Sequence, residues 1–133
     1  MAIEAPVHAR PAISLIAEDL PPHGAKLFIG DTDAARDLTI LRRHVIATVI
    51  NCAVNLDINY VGEPAHPGTD TLLAAGTGPV RTYKLGLIDG PGNPATMLMA
   101  GYYLMSGALR QEFPEKPSYP RRERGNVLVH CRG

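Results

Sequence analysis

The stretch Asn126-Val127-Leu128-Val129-His130-Cys131-Arg132-Gly133 decides how the rest of the chain is read. Val127, Leu128 and Val129 are consecutive apolar residues between polar neighbours, the pattern of a central strand buried on both faces. A cysteine just past the carboxyl end of such a strand stands where open α/β sheets place ligands. Gly133 opens a loop in which successive backbone N–H groups can turn inward as an anion cradle. Amides aimed in that way would also stabilise a thiolate on Cys131. A structural cysteine closing a strand is the competing explanation, since His-Cys is only a two-letter motif.

The surrounding chain is 133 residues long, enough to bury one core and make one domain. Its 45% hydrophobic and 20% charged content is that of an ordinary globular protein. The net charge is zero, so no nucleic-acid footprint or attraction to an anionic membrane is expected, and affinity for an anionic substrate has to be local. Two cysteines, Cys52 and Cys131, make no disulfide framework and read as thiols in a reducing compartment. The amino terminus carries Glu4, Pro6 and His8 rather than a basic-then-apolar leader. The longest apolar run, Val45 to Ala53, is interrupted by Asn51 and is too short to span a bilayer. A cytoplasmic enzyme or binding domain is the expectation.

Residues 1–12 hold two prolines and no periodicity, which reads as a loose arm. Ile13 to Ala17 and Lys26 to Ile29 read as short strands joined through the Leu20-Pro21-Pro22-His23-Gly24 turn. Asp31 is placed to cap a helix whose Ala34, Leu38, Leu41 and Val45 share one face, with His44 at its basic end. Ile46 to Ala53 is a β-branched strand, with Cys52 read as core. Residues 54–80 form a long loop, interrupted by a helical turn near Leu72 to Ala75; its Gly76-Thr77-Gly78 lacks the Gly-Lys-Ser/Thr ending of a phosphate loop. Arg81 to Ile88 returns to strand and runs into the turn Asp89-Gly90-Pro91-Gly92-Asn93-Pro94. Asn93 is a candidate cap for the next helix and Pro94 suits its first position. That helix has an apolar stripe of Met97, Leu98, Gly101, Leu104, Met105, Ala108 and Leu109, on which Tyr102 and Tyr103 cannot both face inward. A polar connection over 111–125 carries Arg121, Arg122 and Arg124, a solvated loop or a docking element.

In this order the elements resemble the dual-specificity branch of the cysteine-dependent protein phosphatases. Lys26-Leu27-Phe28-Ile29-Gly30-Asp31 and the helix after it resemble that family's second strand and first helix. Val49-Ile50-Asn51-Cys52-Ala53 resembles its next core strand. Tyr83-Lys84-Leu85-Gly86-Leu87-Ile88-Asp89 is similar to the strand that delivers the general-acid aspartate, and Val127-Leu128-Val129-His130-Cys131 to the strand entering the signature loop. The resemblance implies an α/β fold of phosphotyrosine-phosphatase type: a central mixed, mostly parallel sheet of about five strands, flanked by helices. The family motif is His-Cys, five residues, then Arg. Here the sequence reads His130, Cys131, Arg132, Gly133, so the arginine and the helices that normally follow would lie beyond it. The 133-residue chain alone is therefore expected to be inactive, and one sheet face near Cys131 is expected to expose an apolar patch.

The resemblance also implies a chemistry. Cys131 would attack phosphorus, splitting phosphomonoester hydrolysis into two steps through a phosphocysteine. Asp89 would protonate the leaving oxygen and then act as base towards water. His130 would orient the loop and help keep the thiol ionised, while amides near Arg132 and Gly133 would hold phosphate oxygens. No metal or cofactor is implied, and no histidine or carboxylate spacing supplies a metal site. Asp-Gly is also a favoured turn pair, which explains Asp89 without catalysis, and Asp57 is a rival acid. A phosphorylated protein or a small phosphomonoester is the implied partner. The alternatives are a non-catalytic phosphatase-like binding module and a rhodanese-like sulfur transferase, which also places a cysteine loop after a buried strand.

Overall fold

The computed structural model describes residues 11–60, 78–111, 116–118 and 124–133. The amino-terminal arm, the turn near Leu72 to Ala75, and Arg121 and Arg122 lie outside the described residues. Five strands form one sheet: β1 (Ile13–Leu20), β2 (Ala25–Gly30), β3 (Ile46–Ala53), β4 (Arg81–Leu87) and β5 (Asn126–His130). Three helices accompany them, α1 (Thr32–Ala35), α2 (Leu38–Arg43) and α3 (Ala95–Arg110). The strand order is β1-β2-β5-β3-β4. β1 pairs antiparallel with β2, and the other three pairings are parallel. The fold is thus α/β, with a five-stranded mixed sheet flanked by helices.

Side-chain alternation divides the sheet into two apolar faces. Phe28, Val49 and Leu128 form one, covered by α1 and α2 through Ala35 and Leu41. Leu27, Ile50, Val127 and Val129 form the other, covered by α3 through Leu104, Met105, Ala108 and Leu109. The helices lie on opposite faces because the crossovers run in opposite directions. The chain moves from β2 past β5 to β3, then back from β4 past β3 to β5, and right-handed connections must then use opposite sides. Val127 and Leu128 are fully buried in the middle of this arrangement, as their apolar run predicts. Among the described residues, only β5 joins the β1–β2 pair to the β3–β4 pair.

Asn126 anchors the start of β5. Its Oδ1 accepts from the Lys26 amide at 2.8 Å, and its Nδ2 donates to the His44 carbonyl at 2.7 Å. Its own amide donates to the Val45 carbonyl at 2.7 Å, so one residue ties β2, the end of α2 and β3 together. His44 also packs its ring against Phe28, with centroids 5.0 Å apart, in keeping with a structural role.

Two local expectations are corrected. The single helix expected from Asp31 to Val45 is two, because Asp37 caps a second one: its Oδ1 accepts from the amides of Thr39 (2.9 Å) and Ile40 (3.3 Å). The break turns Leu38 (38% exposed) and Val45 (59% exposed) out of the intended face, while Ala34 and Leu41 stay buried. Asp31 does cap α1, accepting from the Ala34 amide at 3.1 Å. Asn93 does not cap α3; Pro94 occupies the cap position without a side-chain hydrogen bond. On α3, Gly101 allows close approach to β4, since a Cβ there would stand 2.6 Å from Cδ1 of Leu85. Tyr102 and Tyr103 both face solvent, edge to face at 5.5 Å, and Leu98 of the expected stripe is exposed as well. On the sheet face that α3 covers, Ile29, cross-strand neighbour of Val129, is 51% exposed. Among the described residues, no helix is long and apolar enough to cross a membrane.

Candidate functional site at the carboxyl edge of the sheet

Because β2, β5, β3 and β4 are parallel, their carboxyl ends share one edge, the position where α/β sheets bind ligands. Cys131 follows β5 and Asp89 follows β4 by two residues; both side chains are exposed. One strand, β3, lies between them. At ordinary strand spacing their backbones leave the sheet roughly 10 Å apart. A thiol and a carboxyl are therefore presented to solvent on the same rim.

His130 ends β5 and is 2% exposed, which places its ring in the core directly beneath the cysteine loop. Its Nδ1 lies 3.1 Å from the Cys131 carbonyl. A carbonyl only accepts, so in the neutral ring Nδ1 carries the proton and Nε2 is the bare nitrogen. Nε2 is buried and has no hydrogen-bond partner among the described residues. Burial pushes the His130 pKa down from its ordinary value, against the opposing pull of the Cys131 carbonyl and of Asp31. A ring biased towards neutrality offers Cys131 orientation through Nδ1–H rather than positive charge.

The segment beyond His130 is tied to α1. The Thr32 hydroxyl donates to the Arg132 carbonyl at 2.8 Å, and the Cys131 thiol donates to the Gly133 carbonyl at 3.3 Å. Arg132 and Gly133 are exposed. Cys52 stands one residue before the end of β3, half-buried rather than in the core as expected, and burial raises its pKa with a further push from Cys131. Asn51 beside it is buried and holds the turn that follows, accepting from the Ala53 amide at 2.9 Å and donating to the Leu56 carbonyl at 2.6 Å. Asp57, the rival acid, is ion-paired with Lys84.

Asp89 sits in a turn shaped by glycine. Gly90 and Gly92 have φ of +87° and +108°, conformations that side chains resist. Asn93 closes the turn by binding Ile88, the residue before Asp89, at both its amide (2.9 Å) and its carbonyl (2.8 Å). Thr32 and Asn93 were not among the expected site residues. Thr32 meets a segment a hundred positions away, and Asn93 beside Pro94 carries the signature of a helix cap. Among the described residues, no group of three or more histidine, cysteine, aspartate or glutamate side chains is arranged to hold a metal.

Comparison with protein-family models, curated proteins and solved structures finds no match for this chain. The rim itself therefore carries the functional reading. It brings His130, Cys131, Arg132 and Gly133 together as one segment and sets Asp89 across β3 from them.

Proposed function

We propose that this chain belongs to the dual-specificity lineage of cysteine-dependent phosphatases, with their phosphotyrosine-phosphatase-like fold. On this reading the reaction is hydrolysis of phosphomonoesters on protein side chains (phosphotyrosine, phosphoserine or phosphothreonine), and it requires the lineage's loop arginine in addition to His130 and Cys131. The observation that supports the reading is the shared rim, where an exposed thiol and an exposed carboxyl follow the parallel strands β5 and β4, with β3 between them. Cys131 Sγ attacks phosphorus as thiolate, the ester P–O bond breaks, and the leaving oxygen takes the proton of Asp89. Water then attacks the phosphocysteine, returns a proton to Asp89, and releases phosphate and thiolate. His130 holds the Cys131 carbonyl, and the amides of Arg132 and Gly133 receive the phosphate oxygens. The reading calls for no metal, cofactor, nucleic acid or membrane, and it suits a cytoplasmic protein.

The test uses a protein that carries the complete His-Cys-x5-Arg motif, and an aryl phosphate. Acid quenching should trap phosphate on Cys131, and Cys131→Ser should abolish the trapped species. Asp89→Ala should slow turnover by about 10²–10⁴-fold while leaving substrate capture intact. Capture of a phosphopeptide with no turnover in the wild type would make the chain a binding module instead. A persulfide on Cys131 after thiosulfate, with no phosphocysteine, would make it a sulfur transferase.

A further inference from the structure

α3 carries no charged residue until its last position, Arg110. Its inner side is accounted for by the sheet, through Leu104, Met105, Ala108 and Leu109. The side turned to water should then be charged or polar, because a helix apolar all round belongs in an interior. Instead it carries Leu98 (54% exposed), Met99 (55%), Tyr102 (61%) and Tyr103 (64%). Spaced i, i+1, i+4 and i+5, the four form two adjacent rows in one patch. They uncover on the order of 500 Å², the size of a patch that on a monomer is often functional. The tyrosine rings brace each other edge to face at 5.5 Å, so the surface is already ordered.

We propose that this face docks a second copy of the chain, α3 against α3, antiparallel about a two-fold axis. The pattern of the patch is symmetric about the level between Ala100 and Gly101. Two-fold pairing there sets Leu98 of one copy opposite Tyr103 of the other and Met99 opposite Tyr102, each contact occurring twice. Beyond them small residues meet, Ala95 opposite Ser106, which lets the helices approach closely. A thioether sulfur and a tyrosine ring are favourable neighbours, and both residue types are enriched in interfaces. Two such patches face to face bury about 1,000 Å², the threshold of a specific interface, so association depends on concentration rather than being permanent. The zero net charge of the chain leaves no long-range repulsion between copies. A bilayer surface is a poorer match: helices that lie in one carry Lys or Arg along their polar face, and α3 has Arg110 alone. The surface uses neither Cys131 nor Asp89, so the inference stands apart from the phosphatase reading.

Sedimentation equilibrium of the 133-residue chain, from low to high micromolar concentration, is the test. The weight-average mass should climb from 14.3 kDa towards twice that value. Met99→Lys and Tyr102→Glu, both at exposed positions, should each stay folded by circular dichroism and each keep the mass of one chain. Mixed in equal amounts they should regain the dimer. The antiparallel pair then faces opposite charges at one contact and keeps the native Met99–Tyr102 contact at the other. Tyr103→Ser, a neutral change at the most exposed of the four, should weaken association several-fold even if a charged variant fails to fold. A wild type that stays monomeric throughout would overturn the proposal and leave the face to another protein or to chain beyond Gly133. A dimer that survives all three substitutions would put the interface elsewhere, and a mixture of folded variants that stays monomeric would exclude the antiparallel pairing; either result also defeats it.

Discussion

Asn93 binds both main-chain polar groups of Ile88, accepting from its amide at 2.9 Å and donating to its carbonyl at 2.8 Å. The side chain thus serves as a substitute strand partner where β4 has ended, and Asp89 is the next residue along. Each such bond contributes about 1 kcal/mol net. Asn93→Ala should cost about 1–2 kcal/mol, read as a lower urea midpoint. If Asp89 is the proton donor, kcat should fall more than KM rises in that variant. An unchanged kcat with normal folding would remove Asp89's turn from the mechanism.

The buried ring of His130 makes stability depend on pH. Burial lowers its folded-state pKa below the ordinary 6.5, a shift opposed but not cancelled by the Cys131 carbonyl and Asp31. The unfolded chain then binds the proton first. Stability is complete above about pH 6.5 and is lost as pH falls below it, levelling off once the folded ring is protonated too. His130→Asn retains a donor near the Nδ1 position and cannot titrate. Its melting temperature should lack this slope across the same interval; an unaltered slope would place the titration elsewhere.

Two glycine-to-alanine changes should behave differently. At Gly125 a Cβ would lie 2.5 Å from the Val45 carbonyl oxygen and 2.8 Å from the Ala47 Cβ, and that carbonyl already receives the Asn126 amide. Backbone cannot step aside cheaply, so Gly125→Ala should cost about 1–3 kcal/mol. At Gly101 the obstruction is the tip of the Leu85 side chain, which can change rotamer, and alanine gains about 1 kcal/mol of helix propensity. Gly101→Ala should therefore stay within about 1 kcal/mol of the wild type. Calorimetry of both variants decides the comparison.

Asp37→Ala removes the side chain that starts α2. Loss of an N-cap costs about 0.5–2 kcal/mol. The higher helical propensity of alanine should not rejoin α1 to α2, because one continuous helix would have to turn the exposed Leu38 and Val45 onto the buried face of Ala34 and Leu41. Circular dichroism should show no gain in helix, with a reduced denaturation midpoint.

The sheet was largely legible in the sequence. Runs such as Ile46–Ala53 and Val127–Val129 are long enough, and sufficiently β-branched or apolar, to leave few alternatives. The helical segment after Asp31 was half legible. Ala34 and Leu41 follow the period, but an aspartate at position 37 competes for amides that a continuous helix would use for itself. The rim residues Cys131, His130 and Asp89 stood out because they lie at or just past the ends of strands. Their supports did not. Thr32 reaches Arg132 and Asn126 reaches Lys26 across a hundred positions, and no local pattern encodes such meetings. Asn93 misled because an asparagine before a proline has two uses, and only the position of Ile88 chooses between them.

The placement of β5 also bears on how the molecule is made on the ribosome. Its neighbours β2 and β3 both emerge first, yet neither can bond to the other; each waits with one open edge. Until the segment bearing Val127 and Leu128 leaves the exit tunnel, the nascent chain holds a hairpin and a separate β3–β4 ladder with apolar flanks uncovered. Such contacts between distant positions close slowly. The interval before closure is when this chain is most open to holdase chaperones and to mispairing with another copy of itself.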